Sequence, residues 1–264
     1  MPAPPDHVPE QQLRDSYIKH AARAQLHRYL DYASRPFEAR AALLDLLADD
    51  IAVAGLALAR PTPVGELTDC RIVLQSADAV SATVKDPAIA AIFRRGSAFL
   101  PQLTSITIDG AGGHPLSAVA HRVRATVHYF IALVENPARD PEPFRELLAD
   151  QFSLHYTPEP LKDFEAVRGW VTGRLASVVA SEHDIRSITV TESDDGTSTA
   201  VVTMKSQALF PNSSGAISRN TQHWTLTDTR SNDRFPRVTE VLIDRDAVEF
   251  FGPAPDYEPR EMPG

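Results

Sequence analysis

The sequence predicts an α+β protein made of two tandem cone-shaped units, each a curved antiparallel sheet wrapped around helices, with the first unit truncated. Three observations predict it. His20, Arg23, Ala24, His27, Leu46, Leu47, Ala48 and Asp49 reappear as His121, Arg124, Ala125, His128, Leu147, Leu148, Ala149 and Asp150, each 101 residues later. A repeat held in one register, on elements of the same type, outranks any single motif. The ends of the copies also agree: PQLTSITID at 101–109 matches PRVTEVLID at 236–244, apolar for apolar at alternate positions. Finally, each copy runs long helix, short helix, strand, then further strands, an order that sets helices apart from an antiparallel sheet.

Taken in order, residues 1–11 (MPAPPDHVPEQ) are Pro-rich and polar and read as a disordered arm. From Gln12 to Tyr32 apolar residues recur at helical spacing, Pro36 breaks the pattern, and 38–48 predicts a second short helix. IAVAGLALA at 51–59 predicts a strand ended by Pro61 and Pro63. Residues 71–79 and 80–85 read as extended, 88–100 fits helix or strand, and LTSITID at 103–109 is a strand. Gly110, Gly112 and Gly113 form the linker, so 12–110 is the first domain and 114–252 the second, followed by a tail at 253–264.

The second copy predicts a long amphipathic helix over about 116–135, a Pro-rich break, a short helix at 144–148, and a strand on which Phe152, Leu154 and Tyr156 alternate. A helix at 162–181 and strands at 184–191, 197–210, 217–227 and 237–244 follow, with SDDG at 193–196 as a hairpin turn. The matched ends lie 135 residues apart rather than 101, so the first copy is 34 residues shorter. It is expected to lack the helix and strand of about 162–192.

Composition narrows the function classes. The net charge of −9, with no basic run, argues against nucleic acid as a partner. No apolar run approaches the roughly 20 residues that span a bilayer, so no membrane association is expected. The N-terminus lacks the layout of a signal peptide. A lone cysteine, Cys70, cannot form an internal disulfide. The expectation is a cytoplasmic protein.

YFIALVENPARDPEPFRELLADQFSLHY, followed by QHWTL and RVTEVLID, is similar to the superfamily of ketosteroid isomerases and nuclear transport factor 2-like proteins, which includes polyketide cyclases, limonene epoxide hydrolase and scytalone dehydratase. The resemblance covers nearly all of 115–252 and, less completely, 12–110. It implies a pocket inside the cone, and a fold that hosts enzymes and non-enzymes alike. It also implies positions for steroid isomerase chemistry, and this chain departs from all of them. Tyr156 (Gly55 in the first copy) stands where those enzymes carry an Asp base, Gln222 where they carry a protonated Asp, and Phe130 nearest their oxyanion Tyr. With no carboxylate poised to lift a proton from carbon at these positions, double-bond isomerisation of that type is rejected.

The same placement sends Phe130, Phe152, Leu154, Tyr156, Trp170, Gln222 and Trp224 towards one cavity. Tyr156 and Gln222 are the candidate catalytic groups, since a phenol and an amide can orient or polarise a carbonyl. The apolar five are the candidate substrate-binding residues. A packed core with two satisfied polar groups fits the same pattern.

His20 and His27, like His121 and His128, lie two helical turns apart, about 10.5 Å, too far for one metal to take both from one helix. No metal or cofactor is expected, and these histidines read as flanking polar positions of an amphipathic helix. His155 and His223 alternate away from the cavity, onto an outer sheet face that is either solvent-exposed or a homodimer surface. Two functions remain open: a cofactor-independent lyase, cyclase or isomerase of an apolar oxygenated substrate, or a non-catalytic ligand-binding or scaffold protein.

Overall fold

Helical periodicity at the start of the chain is realised as a short α1 (Glu10–Arg14) and a long α2 (Ser16–Ser34). The structure, a computed structural model, describes residues 10–35, 70–76, 79–84, 88–94, 101–109, 116–228, 234–246 and 248–252. The expected helix at 38–48, strand at 51–59, linker at 110–113, tail at 253–264 and most of the 1–11 arm lie outside these residues. The chain divides into two compact units: Met1–Tyr17 with Phe130–Ser231 and Pro236–Gly264, and Ile18–Tyr129 with Asn232–Phe235.

In the 18–129 unit four strands form an antiparallel meander: β1 (Arg71–Ser76), β2 (Ala79–Val84), β3 (Ala88–Arg94) and β4 (Gln102–Asp109). In the stretch that fitted either helix or strand, the described residues 88–94 are a strand. Its neighbours decide the matter, because β3 pairs with both β2 and β4 while Ala91 and Phe93 are buried and Ile92 and Arg94 exposed. Ala22, Leu26, Tyr29, Leu30 and Ala33 of α2 share a core with Ala82, Ala91, Phe93 and Leu103 of the sheet. The helical residues recur every three or four positions, so one stripe reaches the strands.

The second long helix, α3 (Ala118–Glu135), begins where the Ser117 hydroxyl accepts the Ala120 N–H at 2.9 Å. It ends at Asn136-Pro137, where the Asn136 side chain accepts the Ala138 N–H at 2.9 Å. The sequence predicts one apolar side and polar flanks. Instead every residue from Ala120 to Asn136 is buried, including His121, Arg122, Arg124, Thr126, His128 and Glu135. A helix covered on all sides loses the polar face that amphipathic patterning assigns it.

The 130–251 unit follows the predicted order, with changes that matter at the site. A 3-10 turn at Glu142–Glu146 replaces the expected short helix, and β5 (Leu148–Leu154) stops two residues before Tyr156. The helix predicted at 162–181 is α4 (Phe164–Gly169), capped by Asp163, which passes into a π-helical turn (Trp170–Arg174) and a 3-10 turn (Leu175–Ser177). Four strands succeed it: β6 (Ala180–Glu192), β7 (Thr197–Leu209), β8 (Gly215–Thr227) and β9 (Arg237–Arg245). A short β10 (Glu249–Phe251), absent from the sequence expectation, pairs with the start of β8.

The sheet order is β5-β9-β8-β7-β6, antiparallel except for the β5–β9 pair. Register shifts at Ile185/Ser187 and Thr225/Leu226 are the irregularities that bend and twist such sheets. The predicted SDDG hairpin forms, with Gly196 at φ +79°. Among the described residues no helix is long and apolar enough to cross a membrane.

Candidate active site

Alternation along the strands of the larger sheet gives one buried face. Ala200, Val202 and Met204 of β7, Gln222, Trp224 and Leu226 of β8, and Val241 of β9 are buried, whereas Val201, His223 and Leu242 on the other face are exposed. Register brings Ala200, Trp224, Val241 and Leu154 side by side across four strands. His223 lies opposite Leu242 and contacts Asp244 at 3.2 Å on the outer face, as alternation predicts.

Five aromatic rings gather over the buried face. Phe130 of α3 meets Trp224 edge-on at 5.1 Å and stacks on Tyr156 at 5.6 Å, and Tyr156 stacks on Trp170 at 5.0 Å. The fifth ring is Phe144, edge-on to Phe130 at 5.1 Å. The sequence places Phe144 in a short helix and so misses it. Leu154 joins through its row position, while Phe152, half-buried, enters none of these ring contacts among the described residues.

Tyr156 is not on the strand the alternation gives it. It sits in a loop closed by paired backbone hydrogen bonds between Leu154 and Leu161, and Arg245 donates to its carbonyl at 3.2 Å. Its hydroxyl donates to Gln222 Oε1 at 3.3 Å, and the Trp224 indole N–H donates to the same oxygen at 3.1 Å. The Gln222 amide donates to Asn220 Oδ1 at 3.3 Å, and Asn220 donates to the Ser206 hydroxyl at 3.0 Å. Burial raises the Tyr156 phenol well above its ordinary value, so it stays protonated as a donor.

Register leads from Ser206 to its partner on β6, His183, which no sequence pattern singles out. The His183 ring Nδ1 lies 3.0 Å from Glu135 Oε1, and its backbone N–H donates to that oxygen at 2.6 Å. Glu135 is in the last turn of α3, where a carboxylate opposes the helix dipole, and its side chain is 0% exposed. Desolvation raises its carboxyl above the usual range, while the hydrogen bonds and charge of His183 and a hydrogen bond with Ser16 pull the other way. A carboxylate so placed is costly unless paired, and perturbed groups of this kind gather at functional sites. When Nδ1 carries the hydrogen that Glu135 accepts, Nε2 is the unprotonated nitrogen of the neutral His183 ring.

The histidines of the two long helices correct the sequence reading most sharply. His20, His27, His121 and His128 are all buried, and they face one another rather than solvent. No group of three or more His, Cys, Asp or Glu among the described residues is arranged to hold a metal.

No family model matches this chain, and no curated protein matches it. Among solved structures it is similar to a scytalone dehydratase-like protein of Novosphingobium aromaticivorans (TM-score 0.43, 10% identity, 52% of this chain and 93% of that one). It is similar also to the hexachlorocyclohexane dehydrochlorinase LinA-type3 of Novosphingobium barchaimii (0.41, 8%, 52% and 94%). A third is a nuclear transport factor 2-like superfamily protein of Salmonella enterica (0.40, 9%, 54% and 96%). At such identities none of their residues or activities transfers to this chain.

Proposed function

We propose that the 130–251 unit is a cofactor-independent small-molecule enzyme, a lyase or isomerase that moves a proton at carbon in an apolar, oxygenated substrate. The observation that carries this reading is the buried Glu135 carboxylate on the Nδ1 side of His183. His183 Nε2 takes the proton, Glu135 steadies the imidazolium, and the electron pair left behind forms a double bond by expelling a leaving group or shifting an existing bond. Tyr156, kept neutral by its burial, turns its one O–H from Gln222 Oε1 to the substrate oxygen on which charge develops. Phe130, Leu154, Trp170 and Trp224 supply the apolar wall, and Phe152 is assigned to it by its alternation with Leu154 on β5.

The test works without a named substrate. Apolar ketones, enones and alicyclic alcohols or halides are incubated in D2O with the full chain, and exchange or elimination is followed by NMR. A compound that exchanges or eliminates with the wild type, and not with His183→Ala, supports the reading. The same turnover in both proteins overturns it.

One observation favours a second reading, a binding or scaffold protein. The Gln222 amide already spends its acceptor on Tyr156 and Trp224 and a donor on Asn220, as a polar group serving the core would. In either reading 12–110 is proposed as the degenerate copy and 114–252 as the complete one. Residues 114–264 expressed alone test this: a soluble fragment that binds what the full chain binds makes the first copy dispensable, and aggregation makes it obligatory. The outer faces carrying His155 and His223 are the proposed homodimer surface.

A further inference from the structure

Within the 18–129 unit, α2 and α3 present four histidines to each other in a single row. His20 Nδ1 stands 3.0 Å from His128 Nδ1, and His27 Nδ1 stands 3.0 Å from His121 Nδ1. The inner two, His27 and His128, stack with centroids 5.8 Å apart and planes 10° apart. The order is therefore His20, His128, His27, His121. The row obeys the sequence repeat, for adding 101 to His20 and subtracting it from His128 turns the first pair into the second.

Each Nδ1–Nδ1 contact has room for one proton. Two neutral rings satisfy it when one carries hydrogen on Nδ1 and the other offers a lone pair there. A proton added to that lone pair sets two N–H donors against each other at 3.0 Å and makes the ring that gains it positive. The charged groups facing the inner rings are Arg23 from α2 and Arg124 from α3. From the sheet side, the Cys70 carbonyl accepts from Arg23 at 3.3 Å. Asp31, one turn beyond His27 on α2, is engaged by Arg35 at 2.6 Å and lies 3.9 Å from Arg122 of α3.

We propose that this histidine row is an acid-operated latch: while its rings are neutral it holds α2 against α3, and a second proton in either pair drives them apart and opens the 18–129 unit. Burial holds His27 and His128 well below the ordinary 6.5, with the neighbouring histidines and both arginines acting in the same direction. The folded unit therefore binds fewer protons than the opened one. The stability these two rings contribute is present above pH 6.5 and is lost as pH falls from there through their folded values.

Amide hydrogen exchange on the full chain at pH 7.5 and 5.5, corrected for the intrinsic pH dependence of exchange, reads the opening of α2 and α3. Two rings, each worth up to tenfold per pH unit below 6.5, predict more opening at the lower pH, by up to about 100-fold. The double variant His27→Gln, His128→Gln keeps amide hydrogen bonding and cannot titrate, so its opening should change by less than about fivefold. Ring titration of the wild type by NMR stands independently of whether the variant folds: both inner rings should remain neutral at pH 6. Equal wild-type opening at both pH values, a variant as acid-sensitive as the wild type, or inner rings titrating near 6.5 in the folded protein would each overturn the latch.

Discussion

The backbone N–H and the ring Nδ1 of His183 converge on one oxygen of Glu135, at 2.6 and 3.0 Å. Two donors from one residue fix the imidazole more firmly than either alone, and the residues concerned are 48 apart in sequence. Glu135→Ala leaves both donors without this acceptor and should cost about 2–4 kcal/mol in urea unfolding. Glu135→Gln keeps an acceptor oxygen and should cost under about 1 kcal/mol, yet lower turnover at least roughly tenfold because no negative charge remains to steady the imidazolium. Unchanged turnover in the Gln variant would remove Glu135 from the mechanism.

The same carboxyl gives a pH dependence whose sign is fixed. Because its folded value is raised above 4.5, the contribution of the neutral acid is complete below pH 4.5 and is lost as pH climbs through the folded value. Stability of the 130–251 unit should fall across that window by up to about 1.4 kcal/mol per pH unit, and Glu135→Gln should flatten the slope. Thermal unfolding from pH 4 to 7, compared between the two proteins, checks it.

Tyr156→Phe removes one of two hydrogen bonds to Gln222 Oε1 and leaves the Trp224 N–H in place. The stability loss should be about 1 kcal/mol. A turnover loss of at least about tenfold, some 1.4 kcal/mol of barrier, is expected if the hydroxyl meets the substrate. A variant that loses stability alone would favour the scaffold reading.

Gln222→Leu is the harsher change, since the Trp224 indole N–H and the Tyr156 hydroxyl lose their shared acceptor together. About 2–5 kcal/mol of stability should go, measured by urea unfolding followed through tryptophan fluorescence.

Periodicity made much of this molecule legible. The two long helices and the strands at 71–84, 102–109 and 180–245 announce themselves by spacing, and the rings of Phe130, Tyr156, Trp170 and Trp224 make contact although Tyr156 leaves the strand that alternation gives it. Glu135 and His183 were invisible for a physical reason: they join the last turn of a helix to the start of a strand, and no local pattern spans that gap. The one signal was an acid placed against the helix dipole just before Asn-Pro. The histidine row escaped because a buried polar position and a flanking one look alike on one helix. Only the recurrence of the same two histidines 101 residues on hinted that they meet. β10, three residues long, carries too little pattern to be read.

That last strand supports a prediction about packing. Gly215 on β8 lies opposite Phe251 on β10 and Leu209 on β7. A Cβ at Gly215 would stand 2.2 Å from Phe251 Cζ and 2.6 Å from the Ala208 carbonyl oxygen. The ring can swing aside, but the backbone carbonyl cannot without disturbing the β7–β8 ladder. Gly215→Ala should therefore cost about 1–3 kcal/mol, in the range of overpacked cores. Phe251→Ala on top of it relieves the ring clash and leaves the carbonyl clash, so the rescue should be partial. A double-mutant cycle in urea should show coupling of at least about 0.5 kcal/mol between the two sites. Strict additivity would mean that β10 does not pack on Gly215 in solution.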